Sequence, residues 1–306
     1  MIEKNNIIEI KNLVKEYSWK EVLKSINLEV KDWDFFALLW HNWAWKTTTI
    51  NILTNLVKKT SGIVKINGVD IDNDFKKARS YLWVVPQEFN FDPFAKVIDI
   101  PVIQAWYYWI KKEEAIKKTE ELLKKLDLWE KRNNKAKELS WWMKRRLMIV
   151  RALVHNPKIL ILDEPTAWVD VHLRQSMWEF ITDLNKKGTT IILTTHYLEE
   201  VESMAKKVAI LDKWNILENT TTKNLLSKMQ EESIILTSND FDNIWDEFKK
   251  KYSYLKIDEN EFEITIKSWD NLNKVFEELS KQNIEITSFR NKTNRLEALF
   301  MKIIKK

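Results

Sequence analysis

Cysteine is absent from all 306 residues, which removes disulfides, thiol nucleophiles and Cys-based metal sites and fits a reducing compartment. No apolar run approaches the roughly 20 residues a membrane-spanning helix needs, so any membrane role must come through a partner. The opening MIEKNNIIEIKNLVKEY is charged and alternating and has no apolar core of the secretory-signal kind, which predicts a chain that is not exported. An excess of one charge sign is also missing. The 50 basic and 45 acidic residues, net +5, are spread along the chain and read as solvated faces rather than a nucleic-acid footprint. Scarcest of all is glycine, at 3 residues where usage of about 7% predicts about 21. A chain of this length needs glycine for turns and helix C-caps, because glycine alone takes positive φ without steric penalty.

What is present in excess is tryptophan, at 16 residues. Trp40, Trp43 and Trp45 fall in LLWHNWAWKTTT, after a short apolar strand FFALL at 35–39 and before a helical pattern running from Lys46. Read with glycine at the three tryptophans, residues 40–47 spell G-x-x-x-x-G-K-[ST], a phosphate-binding loop in the strand-to-helix context that the motif demands. Its backbone N–H groups, from Trp40 through His41, Asn42, Trp43, Ala44 and Trp45 to Thr48, would wrap phosphates. Lys46 would reach the β- and γ-phosphates and the Thr47 hydroxyl would meet Mg²⁺. Taken literally, three indoles fill that cradle. UGA means tryptophan in some genetic codes and glycine in another, so a glycine-rich protein decoded with the wrong table takes this form. In-frame UGA at codons 40, 43 and 45 fits that reading, and UGG at all three excludes it.

The N-terminal alternation, IIEIKNLVKEY and VLKSINLEV, predicts a small antiparallel sheet, with SGIVKINGVDI as a hairpin-like pair punctuated by Gly62 and Gly68. A helix-rich stretch runs from about Pro101 to Leu128. Two apolar strands follow, KILILDE at 158–164 and TTIILTTH at 189–196, so the alternation of strands and helices implies a largely parallel sheet. Asp163 and Glu164 end the first, at the carboxyl edge where α/β sheets bind ligands. The first could hold Mg²⁺ through water and the second polarise an attacking water; the same pair also reads as an ordinary solvated strand-to-turn. His196 could contact a γ-phosphate, although a lone histidine there is more often structural. After about Asn219 the order strand, helix, hairpin, helix, strand, helix suggests a small α+β domain, with a ferredoxin-like arrangement as one candidate.

The run ELSWWMKRRLMIVRALVHNPKILILDEPTAWVD resembles the signature, Walker B and D-loop of ATP-binding-cassette (ABC) ATPases, reading LSGGMKRRL and LILDEPTAGVD with glycine for tryptophan. Tyr17 resembles the family's adenine-stacking aromatic, Gln87 in VVPQEFNFDPF its Q-loop glutamine, and TTHYLEE its H-loop. The resemblance covers residues 5–218 and is nearest in form to bacterial ABC-2-type export ATPases. It implies an α/β P-loop NTPase fold of ABC type with an antiparallel β subdomain and a helical subdomain at about 101–150, together spanning 1–218, followed by the α+β domain at 219–306.

The resemblance further implies ATP and Mg²⁺ as cofactors, with Glu164, His196 and Gln87 catalytic and Thr47, Gln87 and Asp163 around the metal. Ser140 and the slots at Trp141 and Trp142 would meet the γ-phosphate bound by the opposite subunit, so the working unit would be a homodimer, with Asp170 coupling its two sites. The partner would be a separate transmembrane permease, placing the chain at the cytoplasmic face of the membrane, with no nucleic acid involved. Trp40, Trp43, Trp45, Trp141, Trp142 and Trp168 fall on family glycine positions. Trp19, Trp33, Trp83, Trp109 and Trp214 are sorted with them and Trp106 leans the same way, whereas Trp129 and Trp178 read as genuine and Trp245 and Trp269 stay unassigned. Two alternatives remain at this point. A non-transport ABC ATPase would need two cassettes or a long coiled-coil insertion, which the short span from Lys46 to Ser140 does not hold. A catalytically dead regulatory or scaffold protein would follow from literal tryptophans.

Overall fold

The computed structural model describes residues 5–40, 43–166, 171–212, 215–228, 231–238, 244–267, 272–292 and 295–304. Contacts divide the chain into two units, Met1–Thr220 and Thr221–Lys306. In the first, the alternating N-terminal segments form β1 (Asn6–Tyr17) and β2 (Lys20–Lys31), and the apolar run that follows forms β3 (Phe35–Trp40). Next come α1 (Trp43–Leu53), β4 (Ser61–Ile66), β5 (Val69–Asp70), α2 (Phe75–Ser80), β6 (Leu82–Val85), α3 (Asp99–Trp106), α4 (Lys112–Lys125) and α5 (Trp141–Leu153). The unit closes with β7 (Ile159–Asp163), α6 (Val171–Lys186), β8 (Thr190–Thr194), α7 (Leu198–Met204), β9 (Lys207–Asp212) and β10 (Asn215–Thr221), whose last residue begins the second unit.

Two sheets share one core here. The first, ordered β2-β1-β4-β5, is antiparallel, and the second is ordered β10-β9-β3-β8-β7-β6. Strands β9, β3, β8, β7 and β6 run parallel, and the apolar residues of β7 are buried throughout, as a strand covered on both faces requires. Ile8, Ile10 and Val64 of the first sheet join Phe36, Leu38, Ile161 and Ile192 of the second in one apolar cluster. Parallel register aligns the carboxyl ends: Leu38 pairs with Thr194, and Thr194 with Asp163. The chain therefore leaves β3, β7 and β8 at neighbouring points on one edge. Helices α3 and α4 close over Ala105, Ala115 and Val154. Acidic residues in the first turn of α4 and lysines in its last complement the helix dipole.

The second unit contains α8 (Thr222–Leu226), β11 (Glu231–Thr237), α9 (Asp246–Lys251), β12 (Leu255–Lys256), β13 (Glu261–Lys267), α10 (Leu272–Ser280), β14 (Ser288–Asn291) and α11 (Arg295–Ile304). Its sheet order, β12-β13-β11-β14 with antiparallel pairing throughout, is that of a split β-α-β ferredoxin-like fold. Ile234, Phe248, Phe262, Ile264, Val275 and Leu279 form its core. Two elements start later than the sequence suggests. Trp245 is extended and its N–H donates to Gln282 Oε1 at 2.8 Å, so α9 begins at Asp246 rather than Phe241. Ile284 still belongs to the turn that closes α10, so β14 begins at Ser288.

Left-handed backbone separates the tryptophans. All three glycines have positive φ, and at Gly62 a Cβ would lie 2.4 Å from the Asn12 carbonyl oxygen, so only glycine fits. Trp19, Trp33 and Trp109 also have positive φ, at 72°, 60° and 58°. Ser18 and Trp19 are the two central residues of the β1–β2 hairpin, both left-handed, as in a type I′ turn whose second position favours glycine. Trp33 is the third residue of the turn closed by Asp34 N–H donating to Lys31 O at 3.2 Å. Trp109 follows α3 where Trp109 N–H bonds Trp106 O and Ile110 N–H bonds Ala105 O, the Schellman pattern that places glycine or asparagine at this residue. The matching positions after α1, α4, α6 and α10 hold Asn55, Asp127, Gly188 and Asn283. Trp83, by contrast, lies in β6 against Tyr108 and His155, without positive φ.

Candidate active site

Because β7 and β8 are paired in register, Glu164 leaves the sheet beside the end of β8. It is 4% exposed and left-handed, with φ 48°, a conformation that costs about 1–3 kcal/mol for a non-glycine residue. Its N–H donates to Thr194 O at 2.8 Å, which ties it to the neighbouring strand. Three polar side chains converge on its carboxylate: Lys46 Nζ at 3.3 Å from Oε1, Gln87 Nε2 at 3.4 Å from Oε2, and His196 Nδ1 at 3.5 Å from Oε2. Lys46 also pairs with Asp163 Oδ1 at 2.5 Å, and Thr194 Oγ1 donates to the same oxygen at 2.6 Å. Lys46 is only 2% exposed, so a charge that burial would penalise is matched by two carboxylates. His196, 54% exposed, forms the open side of the cluster.

Five residues named from the sequence, Lys46, Gln87, Asp163, Glu164 and His196, thus meet at one point. Thr47 is exposed and Thr48 buried in the second turn of α1. That helix starts at Trp43, three residues before the expected Lys46, so the last residues of the expected loop form its first turn. The side chains of Trp40, Trp43, Ala44 and Trp45 lie outside the described residues, as do His41, Asn42, Trp168, Asp170, Trp214 and Trp269 altogether. Tyr17 ends β1, 42% exposed, with Lys15 Nζ 4.5 Å from its ring centre. Ser140 caps α5, its Oγ accepting from Met143 N–H at 3.2 Å. Trp141 is exposed against Phe89, while Trp142 is buried with an indole N–H that finds no partner among the described residues. An orphan donor of this kind costs about 1–3 kcal/mol, whereas Trp178, read as genuine, donates its N–H to Glu200 Oε1 at 3.4 Å. The Trp129 ring has Lys124 Nζ 5.2 Å and Arg132 Cζ 4.5 Å from its centre.

Three contributors escape a reading of motifs. Thr194 orients Asp163 and anchors Glu164, but a threonine in an apolar strand carries no sequence signal. Glu200, fully buried on α7, accepts from Thr166 Oγ1 as well as from Trp178. Burial pushes its carboxyl up to about 7, against the hydrogen bonds from Thr195 and Trp178 and the Arg174 charge. Arg145 reads as part of a basic run, MKRRL, yet shares a helix face with buried Met148, Ile149 and Ala152, and that i, i+3, i+4, i+7 spacing is the available clue.

Comparison with known proteins identifies the family. The family model described as ABC transporter matches residues 23–167. The linearmycin resistance ATP-binding protein LnrL of Bacillus subtilis is 33% identical over 229 residues, covering 75% of this chain and 74% of LnrL. The Nod factor export ATP-binding protein I of Burkholderia orbicola is 35% identical over 205 residues, 67% of each chain. Among solved structures, cbiO1 from Clostridium perfringens, part of the ABC transporter complex cbiONQ, superposes with a TM-score of 0.67 at 26% identity, covering 74% of this chain and 92% of that one. The ATP-binding cassette MJ0796, in a dimeric post-hydrolysis state bound to ADP and Pi, gives 0.63 at 25% identity over 70% of this chain and 98% of that one. With an ABC fold, five polar side chains gathered around one buried carboxylate cluster, and relatives of this identity across most of its length, the chain belongs to the ATP-binding, ATP-hydrolysing subunits of the ABC transporter family.

Proposed function

We propose that this subunit powers an ABC-2-type exporter, in which two copies close on ATP and drive a separate membrane permease from the cytoplasmic face. The observation that carries the catalytic part is the convergence of Lys46, Gln87 and His196 on the buried carboxylate of Glu164. Glu164 orients the attacking water, and Lys46 exchanges its carboxylate partners for the β- and γ-phosphates when ATP binds. His196, on the open side, faces the γ-phosphate, and the Tyr17 ring stacks on adenine. Ser140 and the positions of Trp141 and Trp142 meet the nucleotide of the opposite subunit, and Asp170 links the two sites.

The Thr47 hydroxyl, the Gln87 amide and the Asp163 carboxylate are hard oxygen donors, and a site with few protein ligands suits a small cation that keeps water and phosphate around it. Bound there with ATP, Mg²⁺ would neutralise charge developing on the phosphates. Its protein ligands would be those three. Export is supported by the Nod factor export relatives, assembly with further subunits by cbiO1 as part of the ABC transporter complex cbiONQ, and dimer formation by the dimeric MJ0796 structure. Glycine at Trp40, Trp43, Trp45, Trp141, Trp142 and Trp168 belongs to the same reading, since it opens the phosphate cradle.

The test is Glu164→Gln in protein purified from the native host. We expect phosphate release to fall by about 10²- to 10⁴-fold, the usual contribution of a positioned base, while ATP still binds and now holds the subunits as a dimer in light scattering. Parental turnover in the variant would remove Glu164 from the mechanism.

A further inference from the structure

A guanidinium without solvent contact needs every donor satisfied. Arg145, in the second turn of α5, is fully buried, and its donors go to main-chain oxygens. Nε donates to Pro165 O at 3.2 Å and Nη2 to Asp163 O at 2.6 Å, while Nη1 donates to Pro86 O and, at 3.4 Å, to Gln87 O. These carbonyls are not scattered. Asp163 and Pro165 are the neighbours of Glu164 on either side, and Pro86 and Gln87 are where the chain leaves β6 and carries the amide that reaches Glu164 Oε2.

The left-handed Glu164 is therefore held in two ways. Its own N–H is tied to β8 through Thr194, and the carbonyls before and after it are tied to α5 through one planar side chain. Burial lowers the Arg145 guanidinium to about 10, with the Asp163 and Glu164 carboxylates opposing the shift, so it is charged at neutral pH. A rigid fork reaching two loops at once is something arginine supplies and lysine does not.

We propose that Arg145 is a positioning residue for hydrolysis, setting the spacing between the Glu164 carboxylate and the Gln87 amide and fixing both to the helix that Ser140 caps. This rests on the roles given above to Glu164 and Gln87. Since Ser140 meets the other subunit's nucleotide in that reading, a displacement of α5 on dimer closure reaches Glu164 through Arg145 within the same subunit.

The experiment compares Arg145→Lys, Gln87→Ala, the double variant and Glu164→Gln in the full chain, measuring kcat, KM and ATP affinity per molecule able to bind ATP. For Arg145→Lys the expected result is a kcat lowered by roughly ten- to a hundredfold with ATP affinity within about twofold of the parent, as loss of a group that orients rather than binds implies. The double variant should lose less than the product of the two single losses, because both act on one spacing. A merely structural arginine would lower the yield of binding-competent protein, leave kcat per binding site unchanged, and combine with Gln87→Ala multiplicatively; either result overturns the proposal. If Glu164→Gln loses turnover and Arg145→Lys does not, the positioning role alone falls. If Glu164→Gln keeps full turnover, the role of Glu164 falls and takes the positioning role with it.

Discussion

At the scale of single residues, Glu200 makes an inspectable claim about pH. Its carboxyl titrates at about 7 in the fold against a reference of 4.5, with burial as the main cause. Between those values the folded chain keeps a proton that the unfolded chain has lost, so stability falls as pH rises through this window and the loss is complete above about 7. The size is on the order of 3 kcal/mol. Glu200→Gln keeps the shape and removes the titration. We expect denaturation midpoints of variant and parent to coincide near pH 4 and the variant to be the more stable at pH 8; an unchanged slope would place the proton elsewhere. Such a residue is hard to find in a sequence. Glu199 and Glu200 are adjacent and identical in type, yet one is exposed and the other buried beneath Thr166 and Trp178. The residues that were legible are fixed by their place beside apolar strands: Asp163 and Glu164 at the end of β7, and Lys46 in the first turn of the helix that follows β3. Arg145 and Thr194 act through contacts with segments distant in sequence, for which no local pattern exists.

Turns and helix ends carry the second set of expectations. Three tryptophans occupy left-handed positions in a hairpin, a turn and a Schellman cap. Glycine at 19, 33 or 109 relieves a strain of about 1–3 kcal/mol and gives back up to about 1 kcal/mol through a freer unfolded chain. The net gain expected for each of Trp19→Gly, Trp33→Gly and Trp109→Gly is roughly 1 kcal/mol, read from the urea midpoint of the first unit. Trp178→Gly should have the opposite sign, because it puts glycine inside α6 and frees the Glu200 oxygen of a donor. If all four variants shift the same way, the backbone argument fails. At this scale the sequence was most informative about continuous apolar runs: β7 and β8 fall within a residue or two of the expected strands. Element starts were less legible where a distant side chain decides them, as Gln282 does for α9.

For the molecule as a whole, the sequence and the fold disagree in one consistent way. Motif order, parallel register and the gathered site describe a working nucleotide enzyme, while the written side chains put indoles into its phosphate loop, its signature and its turns. Intact mass of the native-host protein decides between them. We expect a mass below that of the written sequence by one indole side chain for each recoded position, together with weak tryptophan fluorescence dominated by Trp129 and Trp178. A mass equal to the written one would leave a filled loop and a non-hydrolysing scaffold. The left-handed sites extend this beyond one protein. Backbone sterics are indifferent to translation tables, so positions 19, 33 and 109 act as fiducial marks for the code itself. A chain whose largest residue repeatedly sits where glycine or a short polar side chain is favoured carries, in its own geometry, the means to correct its reading.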